Sequence, residues 1–198
     1  MILIKALLLY FLIFAQSLAG DQDAIMEITA RLEKTVIIQG DFSQQKNLKF
    51  LHKPLISSGS FYYHQRKGII WKTREPVLSL LLIDDSRLLT EHDEPTVPTV
   101  FAKVFKAILG GSFAALTDNF NMSVSDKTAA WQIDLTPKDE LLQKVITSIT
   151  LAGDADLRSL VIREASGNSS QISFSNITHP REITPEQEIS FEHLSAPR

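Results

Sequence analysis

Apolar positions change spacing twice along the chain, and each change marks a change of element. Residues 21–35 set Ile25, Ile28 and Leu32 three and four apart, with Glu27, Arg31 and Glu33 on other faces, which predicts an amphipathic helix lying on an apolar surface. From Val36 the pattern turns strand-like over 35–46, 58–65, 68–73, 77–83 and 87–91, with turn signals at Lys67-Gly68 and Asp84-Asp85-Ser86. Short turns between successive strands imply an antiparallel meander. At Pro98 the helical period returns. Pro98 suits a first helical position, Gly110-Gly111 suits a helix end, and Phe101, Val104, Phe105 and Ile108 form one apolar stripe opposite Lys103 and Lys106. Strands follow over 120–124, 129–135, 145–151, 159–165, 170–177 and 188–191, with a short helical turn at 138–142.

The sum is an α+β chain of about eleven strands and two good helices. A large antiparallel sheet interrupted by an apolar helix curls with its own twist, and its concave face must be filled or covered. Filled by side chains, it is an inert barrel; covered incompletely by helices, it keeps a cavity fit for acyl chains. Period two puts Phe61 and Tyr63 on one face and Ile69 and Trp71 together, while Tyr62 and Ile70 turn the other way, so one of these sets lines the interior. Aromatic stripes mostly serve packing, which leaves an ordinary core as the alternative.

The N-terminal end supplies a compartment. Residues 1–19 carry one base, Lys5, an apolar run over 6–14 and Ser17-Leu18-Ala19 before Gly20-Asp21, the small-x-small chemistry of a cleaved signal peptide. The run is well short of the roughly 20 residues that span a bilayer. Residues 20–198 then make a single domain of about 180 residues. With no cysteine, the exported chain has neither a disulfide nor a cysteine-linked lipid anchor and relies on its core. Removing Lys5 takes the formal net charge from −3 to −4. That mild acidity, without clustered Lys and Arg, argues against a nucleic-acid partner and is a poor match to an anionic lipid surface.

Catalytic patterns do not emerge. His52, His64, His92, His179 and His193 are scattered, with no H-x-H or H-E-x-x-H spacing, so no metal site is expected. Ser112, after Gly110-Gly111, lacks the second glycine of a nucleophile elbow. Asp84-Asp85 and Asp93-Glu94 read as solvated loop charge, and Asp154-Ala155-Asp156 lacks the continuation of a calcium loop. Neither an enzyme nor a cofactor is expected.

Phe42-Ser43-Gln44-Gln45-Lys46, Gly59-Ser60-Phe61-Tyr62-Tyr63, Gly68-Ile69-Ile70-Trp71 and Pro76 follow in the order F-x-Q-x-K, G-x-F-x-Y, G-x-x-W and P. That order resembles the start of the LolA family, periplasmic carriers that ferry lipoproteins to the bacterial outer membrane. Trp131 to Pro137 is similar to the family's strand ending in L-T-P, and Ile189-Ser190-Phe191 to its last strand. The resemblance implies an incomplete, half-open β-barrel covered by helices, a periplasmic monomer, an inner-membrane exporter, an outer-membrane acceptor and a cavity for the lipid part of the cargo. On this chain the implied lining is Phe42, Phe61, Tyr63, Ile69, Trp71 and Leu80, with Phe101, Val104, Phe105 and Ile108 on the covering helix.

The family's lid-latching arginine stands six residues before the tryptophan, where this chain has Gln65; Arg66, next along, is the candidate latch. A one-residue displacement flips a strand side chain unless a bulge at Lys67-Gly68 restores it. Ile69 replaces a family phenylalanine. Such departures imply a divergent member, with a glycolipid or polyene-linked cargo, or a ligand-free envelope interaction protein, as alternatives. Each buried methylene contributes about 0.8 kcal/mol, so acyl chains do not cross water unaided. A container whose lid competes with its ligand for one apolar surface removes that barrier without chemistry.

Overall fold

The computed structural model describes residues 23–33, 35–84, 88–90, 99–127 and 130–195. The expected leader over 1–19, the loop over 91–98 and the side chain of Phe101 lie outside the described residues. Within them the chain forms β1 (Ile37–Asn47), β2 (Leu55–His64), β3 (Gly68–Glu75), β4 (Ser79–Ile83), β5 (Leu88–Thr90), β6 (Phe120–Lys127), β7 (Trp131–Pro137), β8 (Ile146–Gly153), β9 (Leu157–Glu164) and β10 (Ser169–Thr178). Helix α1 covers residues 23–32. Helices α2 (Thr99–Leu109), α3 (Glu140–Gln143) and α4 (Pro185–Ser195) follow, with a 3-10 turn at Phe113–Leu116.

All ten strands lie in one antiparallel sheet ordered β5-β4-β3-β2-β1-β10-β9-β8-β7-β6. Two meanders are thus joined where β1 pairs with β10, and the sheet stays open between β5 and β6. Between those edges the chain leaves the sheet to make α2 and the 3-10 turn.

The expected strand at 188–191 is instead part of α4, which lowers the count from eleven to ten. Thr184-Pro185-Glu186-Gln187 is the reason. Thr184 Oγ1 accepts the Gln187 N–H at 3.3 Å and Gln187 Oε1 accepts the Thr184 N–H at 2.8 Å, a capping box with proline at the first helical position.

Strand alternation divides the core in two. Ile69, Trp71, Phe61, Tyr63, Phe42 and Phe174 point to the inner face with Ile133, Leu135, Ile149, Leu151 and Leu160. Ile25, Ile28 and Leu32 of α1, Val104 and Ile108 of α2, and Phe113 and Leu116 of the 3-10 turn cover them. Tyr62, Ile70, Leu82 and Ile37 point outward into a smaller cluster closed by Phe191 of α4. On β10 the outer positions are mostly exposed, giving the alternation of a one-sided sheet; on β2 and β3 the runs Phe61–His64 and Gly68–Trp71 are buried throughout because α4 covers their other side.

The inner face is flattened by reciprocal glycine–aromatic pairs. Gly40 stands opposite Phe61, and Phe42 opposite Gly59. A Cβ on Gly59 would collide with the Lys72 carbonyl and lie 2.8 Å from the Phe42 ring; one on Gly40 would lie 2.8 Å from the Ser175 carbonyl and 3.0 Å from the Phe61 ring. Each ring therefore rests on backbone that only glycine leaves bare.

His64 ties the β2–β3 turn to α4. Its ring meets Phe191 edge-on with centroids 6.3 Å apart, and its Nδ1 accepts the backbone N–H groups of Arg66 and Lys67 at 3.1 and 3.3 Å. Burial, and then the charges of Lys67 and Arg66, hold its pKa below the ordinary imidazole value, against the opposing pull of Glu188. At high pH the ring is neutral in both states. As pH falls through about 6.5 the unfolded chain protonates first, so acidification removes stability.

Two outcomes follow from this packing. Gly59→Val should lower the unfolding free energy in urea by about 3 kcal/mol, whereas Gln171→Val, exposed on β10, should stay within about 0.5 kcal/mol; equal tolerance would contradict the interlock. Between about pH 7.5 and 5.5 the wild-type chain should lose more stability than His64→Asn, and parallel curves would rule out the imidazole as the cause.

Candidate functional site

On the inner face of β1, β2, β3 and β10 a cluster of rings forms. Phe42 stacks on Trp71 with centroids 3.9 Å apart and planes inclined by 24°. Phe61 lies 6.1 Å from Trp71 and meets Phe174 edge-on at 5.2 Å. From above, the half-buried Phe105 of α2 sets its ring against Trp71 at 5.3 Å and 66°. Such edge-to-face pairs contribute about 0.5–1.5 kcal/mol beyond the area they bury.

The end of α2 is built by its two glycines, each for a different reason. Gly111 takes φ +69°, while its N–H donates to the Ile108 carbonyl at 3.2 Å and the Ser112 N–H donates to the Ala107 carbonyl at 2.9 Å. That is a Schellman cap, and the left-handed position suits glycine. Gly110 makes room instead: a Cβ there would overlap the hydroxyl of Tyr63, which is itself buried. Leu32 of α1 packs on Gly111, so both roofing helices meet over β2.

Beneath this roof the described residues close on a narrow space. The enclosed cavity bounded by Leu32, Ile38, Phe61, Ile108, Phe174 and Ile177 measures about 20 Å³, room for about one water. Side chains of α1, α2 and β10 border that space among the described residues. Beside α2 runs an open groove of about 360 Å³, walled by Tyr63, Val104, Ala107 and Leu116, with Gln65, Lys103 and Lys106 along it.

Of the residues expected to line a cavity, Phe42, Phe61, Tyr63, Ile69, Trp71, Val104, Phe105 and Ile108 share this one inner cluster. Leu80 does not. It pairs with Lys72, whose side chain faces outward, and packs on the outer cluster under α4, which corrects its placement. Arg66 is exposed on the β2–β3 turn and its side chain holds nothing among the described residues, whereas Gln65 borders the groove beside α2. Sequence reasoning left out Phe174, although the alternation around it on β10 marks it as facing one side with Ile172. It also left out the α1 stripe as part of the site.

The outer face has a different character. A cleft of about 440 Å³ beside α4 has a mixed lining, with Gln39, Asp41, Lys72, Asn176 and Gln187 beside Phe61, Tyr62 and Ile70. Hydrogen bonds from Asn176 and then Arg74 hold the Asp41 carboxyl below the usual carboxylate range. Burial, with the Glu188 charge nearby, pushes the Tyr62 hydroxyl up to about 12. Ser112 caps the 3-10 turn with no base arranged beside it among its described hydrogen bonds, and Asp154 is held by the Asp156 N–H and Arg158. Asp156 in turn pairs with His179.

Residues 33–187 match the family model of the outer membrane lipoprotein carrier protein LolA. No curated protein matches the chain. Among solved structures, a MucA/MucB complex from Pseudomonas aeruginosa is similar at 10% identity with a TM-score of 0.50, over 83% of this chain and 59% of that one. The present chain thus spans about three fifths of the matched chain. A LolA superfamily protein from Nitrosomonas europaea is similar at 10% identity and TM-score 0.42, over 81% and 95% of the two chains. For a putative outer membrane lipoprotein-sorting protein domain from Vibrio parahaemolyticus the figures are 9%, 0.43, 89% and 98%. At such identities a likeness is one of fold alone. The family match takes in all ten strands, α2 and the start of α4, and by it the chain belongs to the LolA family of outer membrane lipoprotein carrier proteins, a family of carriers and not of enzymes.

Proposed function

We propose that the protein is a periplasmic carrier that shields the acyl chains of lipoproteins and passes them from an inner-membrane exporter to an outer-membrane acceptor, working as a monomer. One observation carries the proposal: the apolar surface able to take an acyl chain is the surface on which α2 lies, with Phe105 set on Trp71. Membership of the LolA family supports it. In this conformation α2 lies over those rings. Cargo enters when α2 moves off, and the chain then lies along Phe42, Phe61, Tyr63, Ile69 and Trp71 while Val104, Phe105 and Ile108 swing aside. Lid and ligand compete for the same rings, so affinity is set by how firmly α2 closes.

Affinity can then be graded along a route. An exporter that pries α2 open loads the carrier; an acceptor with a more accessible apolar surface unloads it. Neither step breaks a covalent bond.

The competition predicts a gain from damage. Phe105→Ala should lower stability by about 2 kcal/mol, less than a fully buried phenylalanine would, yet tighten binding of a fluorescent acyl probe by roughly tenfold, since the lost ring contact no longer opposes the ligand. Incubation with inner-membrane vesicles bearing a triacylated lipoprotein should yield a soluble complex of the two. Absence of saturable acyl binding above an unrelated globular control would end the carrier proposal, and acyl binding without any lipoprotein complex would move the cargo to another lipid.

A further inference from the structure

Large apolar side chains gather, exposed, at one end of the sheet. The β1–β2 hairpin and the β3–β4 turn leave the sheet at the same end, since Lys46 pairs with Leu55 and Ser58 with Glu75. Phe50 is 76% exposed, Leu51 40%, Leu55 51% and Ile56 55% on the first, and Val77 and Leu78 are each 71% exposed on the second. These make six of the eleven exposed large apolar residues among the described ones, so the end is a patch and not scatter.

The hairpin is also basic. Residues 46–56 contain Lys46, Lys49, His52 and Lys53 and no acid, in a chain whose formal charge is −3. Lys46 reaches Glu164 at 3.8 Å, while Lys49, His52 and Lys53 are exposed. Glu75, at the base of the second turn, lies within 3.5 Å of the Ser58 hydroxyl. The tip is held in place: the Lys49 N–H donates to Asn168 Oδ1 at 3.0 Å, and the Leu51 N–H to the Leu48 carbonyl at 2.9 Å.

We propose that this end of the sheet docks on a lipid bilayer carrying anionic headgroups. Phe50, Leu51, Leu55 and Ile56, with Val77 and Leu78 beside them, enter the interfacial region, while Lys49 and Lys53 keep their ammonium groups among the phosphates. A bilayer fits better than a protein groove because the residues project from two convex turns, with lysines interleaved among the apolar side chains. The net acidity of the whole chain conceals this local basic end. The rest of the molecule, facing away, is repelled by the same surface, which orients the protein tip-down. The inference stands whether or not the inner face carries lipid.

Flotation with phosphatidylcholine vesicles, with and without phosphatidylglycerol, tests it on the full protein. Binding should require phosphatidylglycerol, weaken with added salt, and fall by roughly tenfold in Phe50→Ser/Leu51→Ser and in Lys49→Glu/Lys53→Glu, with thermal unfolding unchanged because these side chains are exposed. As the chain has no cysteine, Phe50→Cys gives a unique site for an environment-sensitive fluorophore, whose emission should shift to the blue on the anionic vesicles. A label that stays in water, binding to neither vesicle, binding indifferent to both double variants, or capture of a protein partner by the tip while vesicles are ignored would each overturn the proposal.

Discussion

The stack of Phe42 on Trp71 is the contact from which the inner face takes its shape, and it exists because Gly59 has no side chain. Phe42 stands opposite Gly59 on the neighbouring strand, lies down on it, and so comes within stacking distance of Trp71, one strand further on. Gly40 does the same for Phe61. Two bare backbone positions thereby turn a pleated sheet into a smooth aromatic floor. A floor of that kind is equally good for a helix stripe or for a hydrocarbon chain, since dispersion and desolvation do not distinguish between them. α2 is one occupant of the floor.

The two sides of the sheet carry different kinds of attachment. On the outer side α4 is fastened by its capping box, by Phe191 in the pocket of Tyr62 and Ile70, and by the pair of Lys67 with Glu188. With β2 and β3 gripped in this way, the strands under the aromatic floor are packed from behind. On the inner side, α2 meets that floor through Val104, Phe105 and Ile108, and its chain direction ends at the Gly110-Gly111 cap beside Tyr63. A stiff floor under a helix held by apolar side chains is the mechanical requirement for a lid that moves while the sheet does not.

Much of this was legible in the chain. Period two located the strands, and Gly110-Gly111 marked the end of α2 because a Schellman cap needs a residue at positive φ. The F-x-Q, G-x-F and G-x-x-W order gave the family and, through it, most of the inner residues. Where both faces of a strand are apolar, though, alternation carries no information: Ser79–Ile83 is almost uniformly aliphatic, so Leu80 could not be assigned to a face without its partner Lys72. Ile189 and Phe191 alternate as strand residues do, and that local pattern hid the capping box a few residues earlier. Whether the space beneath the helices is empty depends on how side chains from distant segments fit together, as Phe105 and Phe174 do around Trp71, and no local spacing encodes it.

The central claim is that an acyl chain and α2 exclude each other from one aromatic floor. With Trp131→Phe leaving Trp71 as the single indole, titration with a fatty acyl chain brominated along its length, followed by amide hydrogen exchange of the same samples, measures both occupants at once. The account predicts that quenching of Trp71 and loss of protection across α2 rise together and saturate together. Bound ligand with α2 still fully protected, or with Trp71 unquenched at saturation, would contradict it.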